Sequence, residues 1–101
     1  MTEQDFQIEV NKDLKKLGIK FMHHEKGRGK NRTHRGGIPD LLIFPGCGKI
    51  IFIELKVKNG KLKDSQIEFR LWSIKNNYIH YVVYDWQQWE LVKKAEKLER
   101  P

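Results

Sequence analysis

One cysteine, Cys47, stands in the 101 residues. That excludes an internal disulfide and any zinc site built on paired thiolates, and it suits a reducing compartment. No apolar run approaches the ~20 residues that cross a bilayer as a helix. The opening MTEQDFQIEV has no basic segment ahead of an apolar one, so it does not read as a secretory leader. Repeats, low-complexity tracts and linker-like stretches are missing too, and the expectation is one domain over residues 1–101. Residues 25–37, EKGRGKNRTHRGG, lack any apolar side chain, and residues 26–35 within them lack any acid. His23, His24 and His34 come close in sequence, but neither helical nor Cys-x-x-Cys spacing accompanies them, which argues against zinc.

What is present is a basic chain with enough apolar residues for a core. Net charge is +7, from 20 Lys and Arg against 13 Asp and Glu, and 39% of residues are hydrophobic. A basic domain of this size points to a polyanionic partner, with nucleic acid foremost and no membrane segment to suggest otherwise. Lys26, Arg28, Lys30, Arg32 and Arg35 crowd into the loop 25–37. They read as a phosphate-binding arm, with Gly36 and Gly37 allowing close backbone approach to a phosphate. Lys58, Lys61 and Lys63 extend the same character. The arm contains no aromatic side chain, so stacking readout of single strands is not indicated.

The periodicities predict seven elements. Thr2, with Asp5 three residues on, caps a first helix whose stripe is Phe6, Val10, Leu14 and Leu17; Gly18 ends it. Strands are predicted over 19–24, 40–44, 49–57 and 78–84 from their β-branched and aromatic content. Asp64 or Ser65, the latter in a box with Glu68, caps a second helix running to about Asn77. Asp85 with Gln88 caps a last helix carrying Trp86, Trp89, Val92 and Leu98. The fold class is α/β, a small mixed β-sheet flanked by helices in the order α-β-β-β-α-β-α. Phe69, Trp72, Tyr81, Trp86 and Trp89 are assigned to the core or to a dimer contact.

One strand pair carries charge where strands are usually apolar. In GGIPDLLIFPGCGKIIFIELKVKNGK, residues 36–61, Asp40 opens the first strand, and Glu54 and Lys56 sit in the second. A three-residue turn, Gly46-Cys47-Gly48, pairs Pro45 with Lys49, and the same register sets Asp40 opposite Glu54. Lys56 falls on the same face, two residues on. Both faces of this hairpin are apolar, so it is covered on both sides. Facing like charges cost about 0.2–1 kcal/mol even when exposed, and more when buried. Lys56 offsets one charge. A hard divalent cation offsets the rest, because Mg²⁺ takes carboxylate oxygens. The alternative is a structural ion pair of Lys56 with either acid.

Pro39-Asp40 followed by Glu54-Leu55-Lys56 resembles the signature of the PD-(D/E)XK nuclease superfamily. TEQDFQ at 2–7, GIPDLLIF at 37–44, IELK at 53–56 and GKLKDSQIEF at 60–69 resemble, more closely, a stand-alone VRR-NUC domain of phage or bacterial type. The resemblance implies a restriction-endonuclease-like core. It implies that Asp40, Glu54 and the Leu55 backbone carbonyl ligate Mg²⁺ or Mn²⁺, with Glu3 as a further ligand; Glu9 is the substitute candidate for Glu3. It implies that Lys56 orients the attacking water and stabilises the phosphate transition state, and that Gln66 helps to place water or Lys56. Lys63 stands where that family often has a capping serine, and Asn77 where it often has glycine.

The expected activity is metal-dependent endonucleolytic hydrolysis of DNA, selective for structure because so small a chain has little surface for reading sequence. The resemblance implies a homodimeric Holliday (four-way) junction resolvase of DNA repair or recombination, working in the cytoplasm of a bacterial or phage-infected cell. A nickase or flap-type nuclease is the near alternative. A non-catalytic basic DNA-binding module is the rival from another class, and RNA as substrate is not separated by principle.

Overall fold

The computed structural model describes residues 1–24 and 37–99. The basic stretch from Lys26 to Arg35, and Gly36 with it, lies outside the described residues.

Helix α1 spans Glu3–Leu17. Thr2 begins it with a reciprocal box: its hydroxyl accepts from the Asp5 N–H, and Asp5 accepts from the Thr2 N–H. That bond also holds the Asp5 carboxyl below its usual range. Phe6, Val10 and Leu14 form its buried stripe, and Gly18 closes it in the left-handed conformation at φ 70°. The strands are β1 (Lys20–His23), β2 (Leu41–Gly46), β3 (Lys49–Leu55) and β4 (Ile79–Val83), and the remaining helices are α2 (Asp64–Lys75) and α3 (Trp86–Ala95). The expected order and the mixed sheet are both present. The sheet runs β1-β2-β3-β4, with β1–β2 and β2–β3 antiparallel and β3–β4 parallel. A parallel pair needs a crossover, and α2 supplies it.

Strand alternation sorts the two faces. Leu41, Ile43, Ile51, Ile53, Leu55 and Val83 pack against Phe6, Val10 and Leu14 of α1 and Trp89 and Val92 of α3. Phe52 lies on the opposite face and meets Phe69 of α2 edge to face, with ring centroids 5.2 Å apart. The charged residues belong to this second face. Asp13 of α1 ties the first layer together by accepting from Trp89 Nε1 and Lys93 Nζ of α3, both at 2.8 Å.

Three local expectations change. The β2–β3 turn has two residues rather than three: Gly46 pairs with Lys49, and Cys47 and Gly48 both take positive φ, 56° and 74°. That geometry matches the twist of a hairpin. An irregularity between Ile43 and Gly46 absorbs the odd residue, and the expected register is kept from Ile43↔Ile51 to Leu41↔Ile53. The N-cap of α2 is Lys63, not Asp64 or Ser65. An ammonium cannot accept a hydrogen bond, so only the returning half of a box forms, from the Lys63 N–H to Gln66 Oε1 at 2.8 Å. Leu98 lies beyond α3, because Lys97 turns left-handed at φ 55° and folds Leu98 back into the core. Asn77 does take the left-handed conformation expected after α2, and Asp85 caps α3 by accepting from the Gln88 N–H.

Candidate active site

Asp40 stands immediately before β2, and the β2–β3 register continued by one residue sets it opposite Glu54. Both side chains are buried, at 5% and 1% exposure, at the edge of an apolar core. Each is held from a different element. The Leu55 N–H donates to Asp40 Oδ2 at 2.8 Å. Gln66 Nε2, in the first turn of α2, donates to Glu54 Oε1 at 3.0 Å. Gln66 is itself fixed, since its Oε1 accepts from the Lys63 N–H. The two bonds set the orientation of the amide, oxygen towards the helix start and nitrogen towards the carboxylate.

Lys56 follows on the same face, just past β3, where its N–H donates to the Val83 carbonyl at 3.0 Å. Its side chain is buried. A turn closed by the Gly60 N–H on the Val57 carbonyl folds over it. A Cβ at Gly60 would stand 3.4 Å from Lys56 Cβ and 2.9 Å from the Val57 oxygen, so this position takes glycine. The ion pairs among the described residues join Lys12 to Glu9, Lys49 to Glu96, and Lys93 to Asp13 and Glu90. Lys56 is in none of them, so the structural ion pair that would have explained its position does not form.

Glu3 lies in the first turn of α1, half-buried, with no hydrogen bond to Asp40 or Glu54. Gln7, one turn on, does reach the site: its Nε2 donates to the Asp40 carbonyl at 3.4 Å. Sequence reasoning passed over Gln7, although its spacing of four from Glu3 puts both on one side of the helix. The His24 N–H also donates to the Asp40 carbonyl, at 2.8 Å. Glu9 is exposed and paired with Lys12. Gly37 is buried rather than open to a ligand, with φ at 93°; a Cβ there would come within 2.3 Å of the Ser65 carbonyl oxygen. The chain entering the Pro39-Asp40 segment therefore lies directly on the first turn of α2, beside Gln66. Lys58, Lys61 and Lys63 are exposed along the connection from Lys56 to α2.

The donor set bears on a divalent cation. No group of three His, Cys, Asp or Glu suited to a metal gathers among the described residues. Two facing carboxylates and a backbone carbonyl are hard oxygen donors, and Mg²⁺ takes one or two carboxylates and fills its shell with water and substrate phosphate. Among the described residues, the hydrogen bond to the Asp40 carboxylate comes from the Leu55 N–H and falls on Oδ2. The residues present fit such an ion.

A mixed four-stranded sheet with helices on both faces brings an Asp and a Glu-x-Lys to one point on it, the arrangement that the resemblance to a VRR-NUC domain led us to expect. The VRR-NUC domain profile matches residues 5–87, and the chain belongs to the VRR-NUC family. A solved structure described as a VRR_NUC domain is similar at 23% identity with a TM-score of 0.75, covering 93% of this chain and 97% of that one, which supports the fold. No curated protein matches the chain. Family membership supports nuclease activity as its general class. No helix among the described residues is long and apolar enough to cross a membrane.

Proposed function

We propose that the chain is a Mg²⁺- or Mn²⁺-dependent endodeoxyribonuclease that acts on branched DNA, with the four-way junction as its preferred substrate, as a homodimer inside a bacterial or phage-infected cell. The observation that carries the reading is the Asp40–Glu54 placement, with each carboxylate oriented by a separate hydrogen bond and Lys56 buried on the same face, in no ion pair among the described residues. Burying two acids on one face is costly unless a cation joins them.

In this reading Asp40, Glu54 and the Leu55 carbonyl hold the ion, with Glu3 reaching it from the start of α1. When bound, the ion supplies Lewis-acid polarisation and activation of water. The protein does the rest. Gln66 keeps Glu54 in a single orientation. Lys56 lines up the attacking water and donates to the phosphate oxygens as charge builds on them. The cations from Lys26 to Arg35, with Lys58, Lys61 and Lys63, hold the DNA backbone without reading bases. A two-fold dimer presents two such sites to a substrate of roughly two-fold symmetry.

Lys56→Ala separates this reading from a non-catalytic binding module. The expected variant binds a labelled junction as tightly as the parent and cuts it at least ~100-fold more slowly. Equal cutting by the two would remove Lys56 from the chemistry. An inert parent under every divalent metal would favour the binding module.

A further inference from the structure

The sheet face that carries Asp40 and Glu54 is covered over only half its width. Its side chains fall in rows across the strands. Met22, Leu42, Phe52 and His80 pair in register; the row before them holds Lys20 paired with Phe44, and Ile50 two residues ahead of Phe52. The site row lies on the other side, where the His24 N–H bonds the Asp40 carbonyl, Asp40 faces Glu54, and Glu54 pairs with Val82. Helix α2 covers the β3–β4 half: Phe69 meets Phe52 and His80, and Gln66 meets Glu54. The β1–β2 half is open. Met22 is 59% exposed, and Leu42, Phe44 and Ile50 are half-buried. The β2–β3 hairpin, expected to be covered on both sides, is thus covered fully on one. Isolated exposed apolar residues need no explanation, but four neighbours on one sheet face form a contiguous patch.

Alternate residues of a strand stand about 7 Å apart, so Met22 and Leu42 lie one row from the site and Phe44 lies two. A DNA strand with its scissile phosphate at Asp40 and Glu54 reaches this surface within a few nucleotides of the cut. A continuous duplex turns phosphates and sugars outwards, and apolar side chains gain nothing from them. Unpaired bases offer flat apolar faces, and each base packed on such a surface strengthens binding by about tenfold. The charges agree. Among the described residues of β1 and β2, the open half carries Lys20 at its far corner and no acid outside the site row. Lys56, Lys58, Lys61 and Lys63 lie past the site row at the opposite end. Cations at both ends of an apolar floor suit a strand held by its phosphates with its bases laid between. A second copy of the chain seated here would close the approach to Asp40 and Glu54, which belong to the same face.

We infer that the open half of this face, Met22, Leu42, Phe44 and Ile50, receives unpaired bases beside the cut, so that the substrate class is DNA in which pairing is broken next to the scissile phosphate. This rests on the nuclease reading above and gives its structure selectivity a physical source. A branch point or a flap, where pairing ends, supplies free bases; a continuous duplex does not.

The test reads binding by the full chain in chelator, so that cutting does not enter. The probes are a labelled duplex interrupted by a short unpaired bubble and the matched continuous duplex, with the parent, Met22→Gln and Met22→Phe; position 22 is exposed, so both variants are expected to fold. The parent is expected to bind the bubble at least about tenfold more tightly than the duplex. Met22→Gln is expected to lose about fivefold on the bubble and nothing on the duplex, and Met22→Phe to match or exceed the parent. With 5-iodouracil in the bubble, irradiation is expected to join the DNA to the tryptic peptide that carries Leu42 and Phe44. Equal losses on both probes, or cross-links that fall only elsewhere, would overturn the inference. Conversion of a dimeric parent to a monomer by Met22→Gln, read by sedimentation velocity, would assign the face to a second copy and overturn it too. Metal-dependent cutting without cross-links to this peptide would remove the surface and leave the nuclease. Bubble selectivity with the expected cross-links, in a chain that cuts nothing under any divalent metal, would sink the nuclease reading and uphold the surface as a site for unpaired bases.

Discussion

Gln66 holds Glu54 with one end of its amide and the start of its own helix with the other. The bond to Glu54 Oε1 is 3.0 Å and the bond from the Lys63 N–H is 2.8 Å. The residue that caps the start of α2 from within its first turn is thereby the residue that orients a buried carboxylate on β3. Replacing Gln66 by Leu leaves Glu54 without this donor and Lys63 without its acceptor. We expect metal affinity or cutting rate to fall about 10–100-fold with DNA binding unchanged. Glu at this position keeps the helix-start bond but sets a third acid against Glu54, and is expected to be worse. Mn²⁺ titration and single-turnover cleavage of the two variants check both.

Gly37 leaves no room for a side chain against the Ser65 carbonyl. Gly37→Ala brings both a positive φ and a backbone clash, and the least costly relief moves the first turn of α2 and Gln66 with it. The expected cost is about 2 kcal/mol or more of stability, read as a lowered denaturant midpoint. Cutting is expected to fall further than the unfolded fraction accounts for. An alanine variant of parental stability and rate would show that α2 is not held there.

Asp13 accepts from two groups of α3, the Trp89 indole and the Lys93 ammonium, while Lys93 also reaches Glu90 at 3.0 Å. Burial works against the charge of Lys93, but the bonds to Asp13 and Glu90 outweigh it and raise its pKa. Asp13→Ala removes the acceptor of the Trp89 indole N–H and leaves the buried Lys93 ammonium with Glu90 alone. The loss is expected to be about 3 kcal/mol in urea unfolding, with cutting at low temperature unaffected.

His80 sits on β4 between Phe52 and Phe69, and its Nδ1 lies 3.1 Å from Arg70 Nη1. An arginine donates only, so Nδ1 accepts and the ring is neutral. Burial first, and the Arg70 charge second, push its pKa down to about 4 from 6.5. The unfolded chain therefore takes up a proton below pH 6.5 that the folded chain refuses until about pH 4. Stability from this residue is full above pH 6.5 and is lost as pH falls through that window. The melting temperature of His80→Gln is expected to fall less steeply between pH 6.5 and 4 than that of the parent; parallel profiles would contradict the assignment.

Features written in short-range chemistry were legible in the sequence. The Thr2–Asp5 and Asp85–Gln88 caps, the α1 stripe and the order of elements each depend on neighbours within a few residues. The Asp40–Glu54 opposition was legible through strand alternation, yet the turn assumed for it was one residue too long. It survived because a local irregularity between Ile43 and Gly46 restores the register. The cap of α2 was not legible, since lysine has no acceptor and Gln66 does the capping from inside the helix. Nor was the need for glycine at position 37, which is set by the Ser65 carbonyl 28 residues away.

The most direct test of the central claim is cleavage of a labelled four-way junction beside a matched linear duplex, by the parent and by Asp40→Asn, with Mg²⁺, with Mn²⁺ and with a chelator. The account predicts metal-dependent paired nicks in the junction by the parent, little cutting of the duplex, and loss of both by the variant. Cutting that persists in Asp40→Asn or in chelator would contradict the assignment of the Asp40–Glu54 pair as a metal-dependent nuclease site.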